Sequence, residues 1–290
     1  MDNRRLVDKI EFYITNVCNL TCENCNRYNN YKFSGWQRWQ DYAEIYAQWA
    51  KKIKFNQITI LGGEPLLNPT ICDWISGINT MWNMPVQILS NGTRLNYVDG
   101  LYEQLVNDQN WIGVSLHNDN EFDGFEKEVY KFLKGKVSKV VNPNISYGDF
   151  SYIYVDSNRV KIQVYCQNTF VNTPLIQTGP DKFKLHNSDP EQAHSVCGFA
   201  KYKNYHMIKG KFYKCGPSVL LSEFDQQHNI DLSDDDRALL YAYQPLSANE
   251  YDTRGSEFFS SLDQSIPQCK FCPTKVTSKK IFPISKEFSL

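Results

Sequence analysis

The run Ile10-Glu11-Phe12-Tyr13-Ile14-Thr15-Asn16-Val17-Cys18-Asn19-Leu20-Thr21-Cys22-Glu23-Asn24-Cys25 joins two signals. Ile10 to Thr15 reads as a strand, and the ten residues after it hold three cysteines spaced Cys18-x3-Cys22-x2-Cys25. Three thiolates on so short a loop can converge on a cubane iron-sulfur cluster and leave one iron without a protein ligand. A structural zinc ion wants four protein ligands in a closed shell. No fourth cysteine or suitably spaced histidine follows, and the nearest histidine is His117.

Working outward from this loop, short apolar runs alternate with helical periodicity, the pattern of βαβ units rather than of an all-β or all-α fold. Tyr42, Ile45, Tyr46, Trp49, Ala50 and Ile53 predict an amphipathic helix over 41–54. A strand follows at Gln57–Leu61, then a helix started by Asn68 and Pro69 with the stripe Ile71, Trp74, Ile75 and Ile78. Strands at Val86–Leu89 and Trp111–Leu116 and helices over 101–106 and 122–133 continue the alternation. Two further strands are read over 136–141 and 160–165, giving six in all. Residues 168–190 lose periodicity and read as a connection. Beyond it, Gly210 turns a small hairpin and Ser233 caps a helix reaching Tyr243.

Lys and Arg (31) nearly balance Asp and Glu (32), so the basic field that drives sequence-independent nucleic-acid binding is absent from the chain as a whole. No nucleic-acid partner is expected. No apolar run approaches the roughly 20 residues of a membrane span, and no export signal precedes the first strand, so a cytoplasmic, membrane-free protein is expected. In a reducing compartment nine cysteines point to metal or catalysis rather than disulfides. Cys72 lies on the apolar side of its helix and reads as a small buried residue.

With Cys18, Cys22 and Cys25 after the first strand and Gly62-Gly63-Glu64-Pro65 directly after the second, the chain resembles the radical S-adenosylmethionine (SAM) superfamily. The resemblance implies an α/β fold, a partial (β/α)6 TIM-type barrel. It implies a catalytic [4Fe-4S] cluster on the three cysteines, whose open iron chelates the amino and carboxylate groups of SAM. One electron, from an external reductant such as flavodoxin or ferredoxin, then cleaves the sulfonium to a 5'-deoxyadenosyl radical that abstracts hydrogen from a substrate. Gly62 and Gly63 would let the backbone approach a bound ligand, and Glu64 could accept charge-assisted hydrogen bonds from an ammonium; the plainer reading is a strand-to-helix loop. Asn91, Ser115 and His117 resemble the family's SAM-contacting strand ends, against the readings of a turn residue beside Gly92 and a hydrogen-bonded loop histidine. The family usually carries an aromatic residue before the third cysteine; here Asn24 stands there, with Tyr28 the nearest aromatic downstream.

Cys197-x12-Gly210-x4-Cys215 and the later Cys269-x2-Cys272 resemble the SPASM or twitch extension of that superfamily, a small C-terminal α+β cysteine-rich unit. Four thiolates suit zinc or iron-sulfur alike. Beside a SAM barrel they imply an auxiliary [4Fe-4S] cluster, with [2Fe-2S] or zinc as alternatives. A cluster with every iron ligated by cysteine accepts or relays an electron, which points to net oxidation. The expected organisation is a barrel over 1–180 and the auxiliary unit over 181–290. The expected substrate is a small hydroxyl-rich molecule: a sugar, cyclitol or nucleotide. The ending Lys286 to Leu290 lacks the Gly-rich tail of the family's nucleotide cyclase, which counts against cyclisation, and the early first strand leaves no room for a peptide-recognition domain. A peptide or protein maturase is the rival, as is an epimerase in which Cys166 donates a hydrogen atom; the simpler reading of Cys166 is packing. An iron-sulfur electron carrier or zinc-stabilised binding module is the alternative of another class.

Overall fold

The computed structural model describes residues 2–31, 33–107, 109–116, 122–142, 151–166, 169–280 and 284–285. Strand β1 (Arg5–Tyr13) is followed by a two-residue strand β2 (Leu20–Thr21), helix α1 (Ala43–Ala50), β3 (Ile53–Leu61), α2 (Ile71–Trp82), β4 (Val86–Ser90), α3 (Leu101–Asn107), β5 (Trp111–Leu116) and α4 (Phe122–Phe132). The expected units are all present, with shifted boundaries: β1 and β3 start earlier than Ile10 and Gln57. Because β1 already pairs with its neighbour at Arg5↔Ile53, the backbone of Ile53 is taken by the sheet and α1 ends at Ala50 rather than near residue 54.

Next come β6 (Ser138–Asn142), β7 (Ser151–Val155) and β8 (Lys161–Cys166). Strand β8 runs parallel to β5 from Trp111↔Lys161 to Leu116↔Cys166, but β7 is antiparallel to β8 and β6 antiparallel to β7. The strand read over 136–141 is therefore not a barrel strand; it forms the outer arm of a meander at the sheet edge, which is why Val140 and Val141 are 58% and 56% exposed.

The chain continues through β9 (Thr169–Val171), β10 (Leu175–Gly179), β11 (Lys182–Leu185), α5 (Pro190–Ser195), α6 (Gly198–Lys201), β12 (Asn204–Ile208), β13 (Lys211–Tyr213), α7 (Pro217–His228), α8 (Asp234–Tyr241), β14 (Leu246–Ser247), α9 (Tyr251–Ser261), β15 (Ser278–Lys280) and β16 (Ile284–Ser285). The main sheet has ten strands in the order β14-β13-β12-β1-β3-β4-β5-β8-β7-β6. Its six central members, β12 to β8 in that order, are parallel, so this is a mixed α/β fold with a partial TIM-type barrel. The sixth parallel strand is β12, which flanks β1 from the far end of the chain. The sheet thus runs across the expected boundary at residue 180. Residues 175–185, read as an irregular connection, form the hairpin β10–β11, turning near Asp181 at φ +52°. Helix α7 has no clean apolar stripe in the sequence, because Val219, Leu220, Leu221 and Phe224 are buried on more than one side.

Successive residues of the parallel strands go to opposite sides. Ile10, Phe12, Ile58, Ile60, Val86, Ile88, Ile112, Val114, Ile162 and Val164 join Trp49, Trp74 and Ile78 of the helices in one outer core. Tyr13, Leu61 and Ile208 belong to a second core with Tyr28, Phe183, Phe224 and Phe271, which binds the N-terminal loop to the C-terminal third. The two-residue turn Lys209–Gly210, both at positive φ (+49° and +74°), brings the β12–β13 hairpin against α1, where the Trp49 indole donates to Gly210 O at 2.9 Å. Among the described residues, no helix is long and apolar enough to cross a membrane.

The bond between Trp49 and Gly210 ties the helices to the C-terminal hairpin. Trp49→Phe strands a buried carbonyl and is expected to cost about 1–3 kcal/mol. Urea unfolding checks this, with the whole chain still melting in one transition.

Candidate active site

Strands buried on both faces of a parallel sheet normally read as continuous apolar runs. The central strands here alternate instead. Glu11, Thr59, Gln87, Gly113, Gln163 and His206 fall between the outer-core residues, at the positions whose side chains face away from the helices. They form a polar inner surface. Gln87 Oε1 accepts from Gln57 Nε2 at 2.9 Å and Thr59 Oγ1 at 3.2 Å, and Gln163 Nε2 donates to Ser151 Oγ at 2.9 Å. Gly113 makes room for this layer, since a Cβ there would stand 2.7 Å from Gln87 Nε2 and 3.2 Å from the Tyr165 ring. Burial pushes the Tyr165 hydroxyl up to about 12, keeping it a neutral donor. This period-two polarity was present in the sequence, and it was the unused signal for an internal site.

The three-cysteine loop leaves β1 at the same end as the tips of β3 and β4. Gly63 N donates to Thr15 O at 2.8 Å and Glu64 N to Val17 O at 2.7 Å, so the strand tip lies directly against the loop's entry. A Cβ on Gly62 would stand 2.4 Å from Thr15 O, and one on Gly63 2.3 Å from Val17 O. The paired glycines therefore make room for the chain's own backbone. Inside the loop, Cys25 N donates to Cys22 O (3.1 Å), Tyr28 N to Cys25 O (3.0 Å) and Asn29 Nδ2 to Asn16 O (2.5 Å). Asn24 sits at φ +61°, a left-handed backbone that asparagine tolerates far better than a bulky aromatic would, which gives its presence before Cys25 a local reason.

The Glu64 carboxylate faces inward and is fully buried. It accepts from Leu66 N (3.0 Å), Ser90 Oγ (2.7 Å) and Asn91 N (2.7 Å), and burial raises it to about 7 against those three bonds. Through these bonds it holds the tip of β4 to the tip of β3. Asn91, so positioned, points Nδ2 at Asn19 Oδ1 (3.1 Å) and Cys18 Sγ (3.9 Å). Ser115 is half-buried one residue before the end of β5. His117 lies outside the described residues. Cys166 ends β8 opposite Leu116, and its side chain is likewise outside them.

The other four cysteines come together from distant parts of the chain. Burial pushes Cys215 up to about 12, with the Cys197 charge adding to it; burial also raises Cys272, reinforced by Cys215, Cys197 and Cys269. Cys269 is raised by burial as well. A metal centre bound by such thiols would take them as thiolates, releasing their protons. Beside them the buried Lys214 donates Nζ to Leu262 O. Burial lowers its pKa, and the charges of Cys215, Cys269 and Cys197 act against the fall. This donor set fits a metal-sulfur group. Among the described residues, no three His, Cys, Asp or Glu side chains stand in the geometry of a single bound ion. Cys72 is half-buried and donates to Asp99 O at 3.5 Å, apart from both groups.

Between the two cysteine groups lies a charge cluster that the sequence reading missed. Glu11 Oε2 on β1 meets Arg27 Nη2 at 2.8 Å and His206 Nε2 of β12 at 2.9 Å. Burial alone would raise Glu11, but His206 and Arg27 beside it outweigh that and hold it down to about 2. Burial lowers His206 against the pull of Glu11.

Comparison with known proteins places these features in context. Residues 12–150 match the family model of the Radical SAM superfamily. The chain is 30% identical over 141 residues to a probable GTP 3',8-cyclase of Methanocaldococcus jannaschii, covering 48% of this chain and 44% of the cyclase, so it spans less than half the length of that relative. It is 25% identical over 236 residues to an S-adenosylmethionine-dependent nucleotide dehydratase of Flammeovirga pacifica, covering 73% of this chain and 76% of that protein. Among solved structures, BtrN in complex with AdoMet and 2-DOIA is similar over 93% of this chain and 94% of that one, at 15% identity and a TM-score of 0.47.

Two outcomes follow from the close pass at residues 62–64. Gly63→Ala drives a methyl group into Val17 O; a loss of more than about 2 kcal/mol in stability and reduced iron uptake are expected, read by thermal melting and an iron assay. Glu64 is raised when folded, so its contribution to stability is complete below about pH 4.5 and is lost as pH rises through about 7. That loss is on the order of 3 kcal/mol, and Glu64→Gln should flatten this part of a stability-against-pH curve.

Proposed function

We propose that this chain, which carries a radical SAM domain over residues 12–150, is an enzyme that oxidises a small hydroxyl-rich molecule, and that its substrate is a nucleotide. Cys18, Cys22 and Cys25 would hold the catalytic [4Fe-4S] cluster at the barrel rim, with the backbone of Gly62 and Gly63 and the side chains of Asn91, Ser115 and His117 bordering SAM. Cys197, Cys215, Cys269 and Cys272, in the segment 181–290, would hold an auxiliary cluster. When bound, these groups supply a 5'-deoxyadenosyl radical that takes one hydrogen atom and a nearby acceptor for the second electron of the oxidation.

The observation that carries the substrate class is the polar inner surface. Gln57, Gln87 and Gln163 offer amides that both donate and accept, and Thr59 and Tyr165 add hydroxyls, while the Glu11 carboxylate there is taken up by Arg27 and His206. An uncharged lining of that kind suits the hydroxyls of a sugar ring, such as the ribose of a nucleotide. The names of the two curated relatives, a GTP cyclase and a nucleotide dehydratase, support the same class. The chain's own residues have two tasks: Glu64 and Asn91 hold the strand tips around the cysteine loop, and the wall of barrel side chains excludes water from the reacting carbon.

Anaerobic reconstitution with iron, sulfide, SAM and dithionite tests the reading. Release of 5'-deoxyadenosine is expected, accelerated at least about tenfold by the right nucleotide and abolished in Cys22→Ala. An intact reconstituted cluster with no 5'-deoxyadenosine would favour an electron carrier, and acceleration by peptides but not nucleotides would favour a maturase.

A further inference from the structure

Among the described residues, the buried polar atoms without a hydrogen-bond partner include Arg27 Nη1 and the Tyr28 hydroxyl. These side chains are neighbours on the loop that carries Cys18, Cys22 and Cys25. Each orphaned donor in a protein interior costs about 1–3 kcal/mol, so two side by side require an account.

Both side chains lie among residues that adjoin the C-terminal cysteines. Arg27 is anchored through Nη2 to Glu11 at 2.8 Å, and its Cζ sits 5.4 Å from the ring centre of Phe199, two residues beyond Cys197. Nη1 occupies the place where a side chain on Gly216 would begin: a Cβ there would stand 2.5 Å from it, and Gly216 follows Cys215. Tyr28 is fully buried in the core that contains Phe271, which lies between Cys269 and Cys272, and its ring meets Phe224 edge to face at 5.8 Å. Its backbone is held at φ +60° with its N–H on Cys25 O. After burial, the charges of Cys272 and Cys215 act most strongly on its hydroxyl, ahead of Cys25.

We propose that Arg27 and Tyr28, borne by the loop of the first three cysteines, donate hydrogen bonds to the sulfur atoms of a cluster held by Cys197, Cys215, Cys269 and Cys272. The inference rests on the reading that these four cysteines hold an iron-sulfur cluster. Hydrogen bonds to cluster sulfurs stabilise the more negative, reduced form and raise its potential. The loop that carries one cluster thereby sets the potential of the other.

The test uses the full chain carrying Cys18→Ala, Cys22→Ala and Cys25→Ala, so that only the C-terminal group binds iron, with and without Tyr28→Phe. Removing the one hydroxyl is expected to leave iron and sulfide content unchanged, to shift the electron paramagnetic resonance g-values, and to lower the reduced-to-oxidised ratio at fixed potential about tenfold, or about 59 mV for one electron. Tyr31→Phe is the control, because Tyr31 lies on the same loop but its hydroxyl meets Gln177 at 3.5 Å; no shift is expected. Adding Arg27→Lys should lower the potential further. An unchanged potential and spectrum in Tyr28→Phe would overturn the inference while leaving the cluster assignment standing. No iron or sulfide in the triple-cysteine background would overturn both.

Discussion

The contact on which the site depends is the pair of backbone hydrogen bonds from Gly63 and Glu64 to Thr15 and Val17. Two strand tips can approach so closely only where no Cβ intervenes, and glycine at 62 and 63 satisfies that condition. The cysteine loop then begins from a fixed point instead of a free end. Glu64 carries the constraint one strand further, since its buried carboxylate spans to Ser90 and Asn91 and brings Asn91 to Cys18. A charged group at full burial is tolerable because three donors converge on it, and the same burial keeps its proton affinity high.

A second constraint works between the halves of the chain. The sheet's outer face is an ordinary apolar core against helices, while its inner face is polar and must be closed by something other than apolar packing alone. The closure comes from the aromatic core of Tyr28, Phe183, Phe224 and Phe271 and from the buried ion pair of Glu11 and Arg27. The pair is worth little as net stability, since desolvation consumes most of its attraction, but breaking either partner would leave a charge buried alone. Its effect is to fix where Arg27 stands, between the first cysteine loop and the turn after Cys215. The two cysteine groups are thus neighbours in one structure, although Cys197 lies 172 positions after Cys25 in the chain.

Most of the barrel's alternation was legible because it rests on local signals. Trp74 and Ile78 follow helical spacing, Gly210 punctuates a two-residue hairpin, and Trp111–Leu116 is a strand both by composition and in fact. The misreadings arose where partners are distant. Nothing local distinguishes Val140 at an exposed edge from Val164 in the core, or shows that Ile53 is drawn into the sheet by Arg5. The same holds for β12, whose place beside β1 depends on a register between residues nearly two hundred positions apart.

The amino-acid sequence alone determined the inventory of candidate ligands and turns: three cysteines on one loop, four more in the last third, and two glycines at a strand end. These are matters of side-chain chemistry and short spacing, which need no knowledge of the fold. Tertiary structure decided which way each group faces. It turned Glu64 inward to the backbone of its own rim, set the glycines against Thr15 and Val17, and carried Arg27 beside Phe199 and Gly216, because burial and register are properties of the folded sheet as a whole.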